Sequence, residues 1–412
     1  MTPSHHHKDH RWAVDSPALG TGLQARPCGD TLRPAAPPPA ADPVALALSG
    51  GGFRATLSAL GVIRLLADAG MMRELRYASS VSGGSIANGL LAANWPALRQ
   101  EGFTTTAVDE LLVEPTLRKI TSHSLKKALL RGLWRTLGPS TRTDVLARRL
   151  DEWFFHGTGL ADLDPQVRWI LNAANLTTGT RFTFERDVYG DYAIGLAPTP
   201  GTGLKLCVAV AASAAVPGAF PPLVLDRASF PCGTDAPTLL DGGVYDNTGT
   251  ESVDGERYRD VFLLVLNSGG LLRPGPYGGI PVVRDLARAN SLLYRQSTAL
   301  RTRLIVERFR RGHAAGPDGP LPPGTRRGVL VALTTDFAEH GAGQLDKWRA
   351  AFPEHRTYDG RDLSLVPTVF DPLPEPLCRA LVYRGWWLAG AGLAAHHPHR
   401  LPNLTALTPP PL

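Results

Sequence analysis

No charge-free apolar run in this 412-residue chain reaches the roughly 18 residues that a membrane-spanning helix needs. The first residues, MTPSHHHKDHRW, hold no apolar h-region, so no secretory signal is expected. The four cysteines, Cys28, Cys207, Cys232 and Cys378, lie far apart without a C-x-x-C pair, which argues for free thiols and against a metal site. No long arginine–lysine tract points to nucleic acid, and no internal repeat is visible. Together these absences lead to the expectation of a cytoplasmic or peripheral-membrane protein.

What the chain does hold is ample material for a core. A hydrophobic content of 43% excludes disorder throughout, and a formal charge of +6 suits an anionic lipid surface as well as free solution. Residues 1–43 end in PAAPPPAADP and read as a disordered Pro/Ala-rich arm, in which His5, His6, His7 and His10 are read as a solvated tail. Residues 44–395 carry the regular patterning and form the expected folded domain, and residues 396–412 read as a loose tail.

Within that domain, the run VALALS at 44–49 is a short apolar strand that breaks into glycine. Leu57, Leu60, Ile63 and Leu66 then mark a helix that stops at Gly70. Residues 75–81 are the next strand and 85–98 the next helix, which is the signature of a parallel sheet with crossovers. Further strands are expected at 167–173, with a hairpin-like continuation through TTGTRFTFE, and at 204–210, 261–266 and 328–333, while 238–241 leads into DGGVYDN. Helices are expected at 144–155, 283–309 and 377–395. Residues 117–137 mix leucines and Trp134 with Arg118, Lys119, Lys126, Lys127, Arg131 and Arg135. Such a basic amphipathic helix either lies on a membrane or covers a lipid cleft, or is an outer helix with a solvated face.

The stretch LSGGGFRATLSALG at 48–61 offers bare backbone N–H groups backed by a helix N-terminus. In LRYASSVSGGS at 75–85, Ser82 stands at the tip of a strand-to-helix turn that pushes its hydroxyl out of the sheet. Anion-stabilising donors beside a presented serine are two halves of an acyl-transfer site. Ser79, Ser80 and Ser85 are competing hydroxyls, and a run of small residues chosen for tight packing is the plain alternative. Gly50, Gly52 and Ala55 also fit a dinucleotide fingerprint, but the second strand ends in SSVSGGS and not in the acidic residue that would hold a ribose.

Four blocks, SGGGFRA at 49–55, SVSGG at 80–84, ASAAVPGAFPP at 212–222 and DGG at 241–243, occur in the order seen in patatin-like phospholipases. The chain resembles that family, whose catalytic core is related to cytosolic phospholipase A2. The resemblance implies an α/β fold, a three-layer α/β/α sandwich with a mostly parallel central sheet; residues 99–165, whose character changes, are read as a helical insertion and candidate lid. It implies a Ser–Asp dyad of Ser82 and Asp241, an oxyanion loop of Gly50, Gly51 and Gly52, and Gly83 beside the nucleophile. Arg54 matches the family's basic residue in that loop, where it either steadies the loop or attracts a phosphate headgroup. Ser80 stands where the family's elbow usually has glycine. Asp246 is the second carboxylate within reach of the motif, and the ASAAVPGAFPP block is expected to pack beside the site. The implied substrate is a phospholipid or another acyl-ester lipid at a membrane surface, with no cofactor, no metal and no nucleic acid. An acyltransferase or general esterase on the same site, or a non-catalytic lipid-binding protein, are the rival readings. His313 and His340 are the histidines whose order would suit a Ser–Asp–His triad.

Overall fold

Every residue of β1 (Val44–Leu48) is buried, as a strand covered on both faces requires. The structure is a computed structural model that describes residues 32–124, 141–226, 228–232, 236–271, 281–316, 319–337, 343–354, 357–368, 370–401 and 404–411. The other strands are β2 (Leu75–Val81), β3 (Arg168–Asn175), β4 (Thr180–Phe184), β5 (Val188–Asp191), β6 (Gly195–Pro198), β7 (Leu223–Val224), β8 (Thr238–Asp241), β9 (Phe262–Asn267) and β10 (Gly328–Ala332). They form one sheet in the order β10-β9-β1-β2-β3-β4-β5-β6, with β8 beside β3 and β7 beside β8. From β10 to β3 all neighbours are parallel. From β3 to β6 they are antiparallel, as is β8 on β3.

The longer helices are α1 (Gly52–Asp68), α2 (Gly83–Gln100), α3 (Glu114–Ser122), α4 (Arg142–Leu150), α5 (Leu206–Ser213), α6 (Pro281–Ala314), α7 (Gln344–Ala351) and α8 (Glu375–His396). Strand alternation sorts them into layers. Val44, Leu46 and Leu48 of β1 join the main core with α1, α2 and α8, while Ala45 and Ala47 face a second core that holds Ile305 and Phe309 of α6. The result is helix, sheet, helix. α1 and α8 cross with their backbones touching: a Cβ on Gly61 would lie 1.9 Å from the Val382 carbonyl oxygen, and one on Gly385 1.9 Å from that of Ser58.

One feature of the sheet positions everything that follows. β2 pairs with β3 as far as Val81 opposite Asn172. β8 takes over the same edge of β3 where β2 stops, with Asp241 opposite Ala173. Two strands from opposite directions therefore meet end to end, one delivering Ser82 and the other Asp241.

Several expectations are corrected. Residues 206–213 are the wholly buried helix α5, not a strand. An eight-residue segment that is apolar all round has no periodicity to separate the two. Cys207 and Cys378 are free and buried, but Cys232 is disulfide-bonded, against the expectation of four free thiols. Sequence spacing says nothing of distance in space. The expected helix over 117–137 ends at Ser122, with His123 extended, and 125–140 lie outside the described residues. The end of the expected arm is tied down: Arg76 donates to the carbonyls of Pro38 and Pro39, and Asp42 pairs with Arg400 at 2.5 Å. In the tail, Leu401 and Leu407 belong to the core. Both ends are held by partners far away in sequence, which composition alone does not reveal. Among the described residues no helix is long and apolar enough to cross a membrane.

Candidate active site

Ser82 sits between the end of β2 and the start of α2 with φ 52° and ψ −123°. This is backbone that a side-chain-bearing residue adopts only when its surroundings force it. The forcing contacts are visible. The Ser82 N–H donates to the carbonyl of Ser213 at 3.2 Å and to its hydroxyl at 3.0 Å. On the far side, a Cβ on Gly83 would lie 2.0 Å from the Gly52 carbonyl oxygen, so only glycine lets the elbow press against the glycine loop.

The competing hydroxyls are all engaged in the interior. Ser79 donates to the Gly249 carbonyl at 2.6 Å. Ser80 shares a hydrogen bond with Ser85 at 3.0 Å and accepts the Asn88 amide at 2.9 Å. The serine at position 80 in place of glycine is thus absorbed by a small polar network behind the elbow. Ser85 in turn pairs with the Ser213 hydroxyl at 2.8 Å.

Asp241 ends β8. Its carboxylate accepts the Gly243 N–H at 2.8 Å and shares the cavity with the Ser82 hydroxyl. Burial pushes its pKa from 3.8 up to about 6, with the Ser82 hydroxyl and the Gly243 N–H pulling back against the loss of solvent. Asp246 is occupied elsewhere: it accepts from the Thr248 N–H, the Thr248 hydroxyl and the Glu251 N–H at 2.9, 2.6 and 2.9 Å. Among the described residues, no histidine lines the cavity at Ser82. His313 stands in a separate cavity with His396 and His397, and His340 lies outside the described residues.

In the glycine loop, Gly51 (φ 145°) and Gly52 (φ 60°) hold conformations that favour glycine. The Gly50 N–H is already engaged by the Asn247 carbonyl at 3.1 Å. Gly50 and Gly51 line the cavity, while Gly52 lies behind them against Gly83. Arg54, the third residue on, is buried. Its guanidinium donates to the carbonyls of Ser268 (2.9 Å) and Val366 and to the Thr368 hydroxyl (3.2 Å). Among the described residues no carboxylate pairs with it, and burial lowers its pKa to about 10, so it stays charged at neutral pH and lines the cavity.

That cavity measures about 800 Å³. Its floor is Ser82, Asp241, Gly50 and Gly51, and its walls include Val216, Pro217, Val244, Leu271, Leu365 and Val366. One side is α6, through Ser291, Tyr294 and Arg295. No described residue of 99–165 lines it, so the expected lid segment is not the wall seen here. The ring of Tyr294 comes close to Asp241 and Arg54, and burial together with the Asp241 carboxylate raises its pKa well above 10. Asn247 leaves its buried side-chain oxygen without a partner beside Gly50 and Gly243. Sequence reading passed over Tyr294, Asn247 and the role of Ser213. Ser213 was legible as part of a small-residue block, but Tyr294 sits in a long helix whose pattern carries no sign of the cavity.

The model of the family described as Patatin-like phospholipase matches residues 46–254. Human GIVD cytosolic phospholipase A2 is similar in structure at 14% identity and a TM-score of 0.48, covering 87% of this chain and 60% of that one. VipD from Legionella pneumophila is similar at 14% identity and a TM-score of 0.32, covering 80% of this chain and 66% of that one. The chain thus corresponds to less than two thirds of the length of these solved proteins. No curated protein matches it.

Proposed function

The chain belongs to the patatin-like phospholipase family, and on that premise we propose that it is a serine lipid acyl hydrolase working through Ser82 and Asp241. The observation that carries the reading is the meeting of the two in one cavity: a serine on strained backbone beside a buried carboxylate with a pKa near 6. A carboxylate of that basicity takes a proton in the transition state far better than an exposed one.

The Ser82 oxygen attacks the ester carbonyl carbon while its proton passes to Asp241. The carbonyl oxygen becomes an oxyanion beside the Gly51 amide and the Arg54 charge. Losing one such donor typically costs on the order of 3 kcal/mol of barrier stabilisation. Collapse breaks the bond to the alcohol or lysolipid, which takes the proton from Asp241 and leaves. Water then gives its proton to Asp241 and attacks the acyl-serine, and the fatty acid departs as the Ser82 hydroxyl re-forms. Every bond in this cycle is handled by side chains and amides of the chain itself.

The apolar walls suit an acyl chain, and the uncompensated Arg54 suits an anionic headgroup. The substrate class proposed is accordingly an acyl-ester lipid presented at a membrane surface. The test is a panel of phospholipids, lysolipids and glycerides run with wild type, Ser82→Ala and Asp241→Asn, with an added alcohol acceptor to separate hydrolysis from acyl transfer. Covalent labelling of wild type but not of Ser82→Ala by a fluorophosphonate is expected. Wild-type turnover in both variants would remove the assignment.

A further inference from the structure

Helix α6 is 34 residues long, and only part of its circumference is buried. Ile305 and Phe309 face the sheet, and Tyr294 faces the cavity. The remaining side is not polar in the way a solvated helix face should be. Leu293 is 72% exposed, Leu304 68%, Leu292 54% and Leu300 49%. At 100° per residue, Leu293, Leu300 and Leu304 fall within about 20° of one line along the helix. Leucines this exposed and this aligned mark an interaction surface, whereas singly scattered ones need no explanation.

Two observations say what the surface meets. The first is continuity. Val244 and Leu271, also among the exposed large apolar residues, line the Ser82 cavity. Leu292 and Leu293 lie between Ser291 and Tyr294, which line it too. Along α6 the exposed leucines therefore begin within one residue of the cavity wall. The second is charge. The sequence of α6 holds eight arginines against two acids, Asp285 and Glu307. Glu307 is held by Arg310 and Arg311, and Arg301 and Arg308 turn to Glu251 and Asp254. Arg303 stands exposed beside the leucines, and Arg295 is exposed where α6 lines the cavity. Two copies of this face opposed about a twofold axis would set arginine against arginine. A leucine stripe edged by arginine fits an anionic lipid surface.

We propose that the outward face of α6, centred on Leu293, Leu300 and Leu304 and flanked by Arg303, docks the protein on an anionic bilayer with the mouth of the Ser82 cavity turned to the lipid. This rests on the lipid-hydrolase reading and names the surface through which that site meets its substrate. A lipid lifted from the bilayer then passes along leucine into the cavity without its acyl chain crossing water.

The experiment separates docking from chemistry. Sedimentation of the Ser82→Ala protein is measured with phosphatidylcholine vesicles, with and without phosphatidylglycerol. Binding to the phosphatidylglycerol vesicles that weakens with salt is expected, and Leu293→Asp with Leu304→Asp in that background should reduce it by about tenfold or more. Arg303→Glu, which leaves the leucines in place, should weaken it chiefly at low salt. With Ser82 intact, the leucine double variant should keep hydrolysis of a water-soluble short-chain ester within about twofold while losing vesicle hydrolysis about tenfold. Unchanged vesicle binding by the double variant overturns the proposal. So does a wild-type dimer that the same substitutions dissociate, which would make the face a contact between copies. If wild type cleaves the soluble ester yet binds neither vesicle, the docking surface falls and the catalytic reading stands. If wild type cleaves no ester, the catalytic reading falls, and the sedimentation arm still decides the surface.

Discussion

The carbonyl oxygen of Ser213 accepts the N–H of Ser82 at 3.2 Å, and the same oxygen accepts the N–H of Gly242 at 3.2 Å. One backbone atom at the end of α5 therefore holds the serine turn and the aspartate turn together. The Ser213 hydroxyl extends the tie, donating to the Asn172 carbonyl at 2.6 Å, where β2 gives way to β8 on β3. A block that reads as mere small-residue packing is the joint of the site.

Ser213→Ala keeps the carbonyl and removes the hydroxyl. The lost hydrogen bonds should lower stability by about 1–2 kcal/mol. Because the substrate does not touch this residue, kcat should fall about tenfold with KM nearly unchanged, since small misplacements at the reacting atoms are costly. Steady-state kinetics with a soluble ester would show the split. Equal loss in both parameters would point to a collapsed cavity instead.

The pKa of Asp241 gives two signs to check. As a base it must be ionised, so kcat/KM should rise with pH, reach half its plateau near pH 6, and level off above that. Stability runs the other way. Between pH 3.8 and about 6 the folded state keeps a proton that the unfolded state has released. Unfolding free energy should therefore fall with rising pH across that window, by a total of about 3 kcal/mol from this group. Asp241→Asn should abolish activity and remove this loss, making the variant the more stable form at pH 8 but not at pH 4. Denaturant titrations at the two pH values test it.

Ser82→Gly isolates the strain at the elbow. Glycine accepts φ 52° without penalty, so the variant should be inactive yet more stable than wild type by about 1 kcal/mol or more. Ser82→Ala, equally inactive, should show no such gain. Thermal melts of the pair compare the two directly.

Arg54→Lys should be far from conservative. One ammonium cannot span the Ser268 carbonyl, the Val366 carbonyl and the Thr368 hydroxyl, which the guanidinium fork joins. A loss of about 2–4 kcal/mol in stability is expected from the unpaired carbonyls, with weaker hydrolysis of anionic lipids than of neutral glycerides. Identical ratios of the two activities in variant and wild type would leave Arg54 a purely structural tie.

Much of the frame was legible because it is local. The unbroken apolar runs of β1 and β9, the glycine turn after Leu48, and the turn at Ser82 each lie within a few residues of the signal that announces them. The resemblance across four blocks also pointed to Ser82 and Asp241, and both line one cavity. Where periodicity was absent, as in the all-apolar α5, helix and strand could not be told apart. The short antiparallel strands β5 and β6 were missed, since four residues carry too little pattern. Arg54 read as a choice between loop brace and headgroup ligand, and its partners at 268, 366 and 368 are more than two hundred residues away.

By itself the sequence determined the turn chemistry, a glycine run opening one helix and a serine elbow opening another, because sterics at a few consecutive residues settle such turns. Tertiary structure alone decided that β8 continues the edge of β3 that β2 leaves, which carboxylate the serine meets, and that α6 forms the wall of the cavity. The physical reason is that these contacts depend on strand register and helix placement. Both are set by the balance of burial over the whole core and not by any segment of the chain.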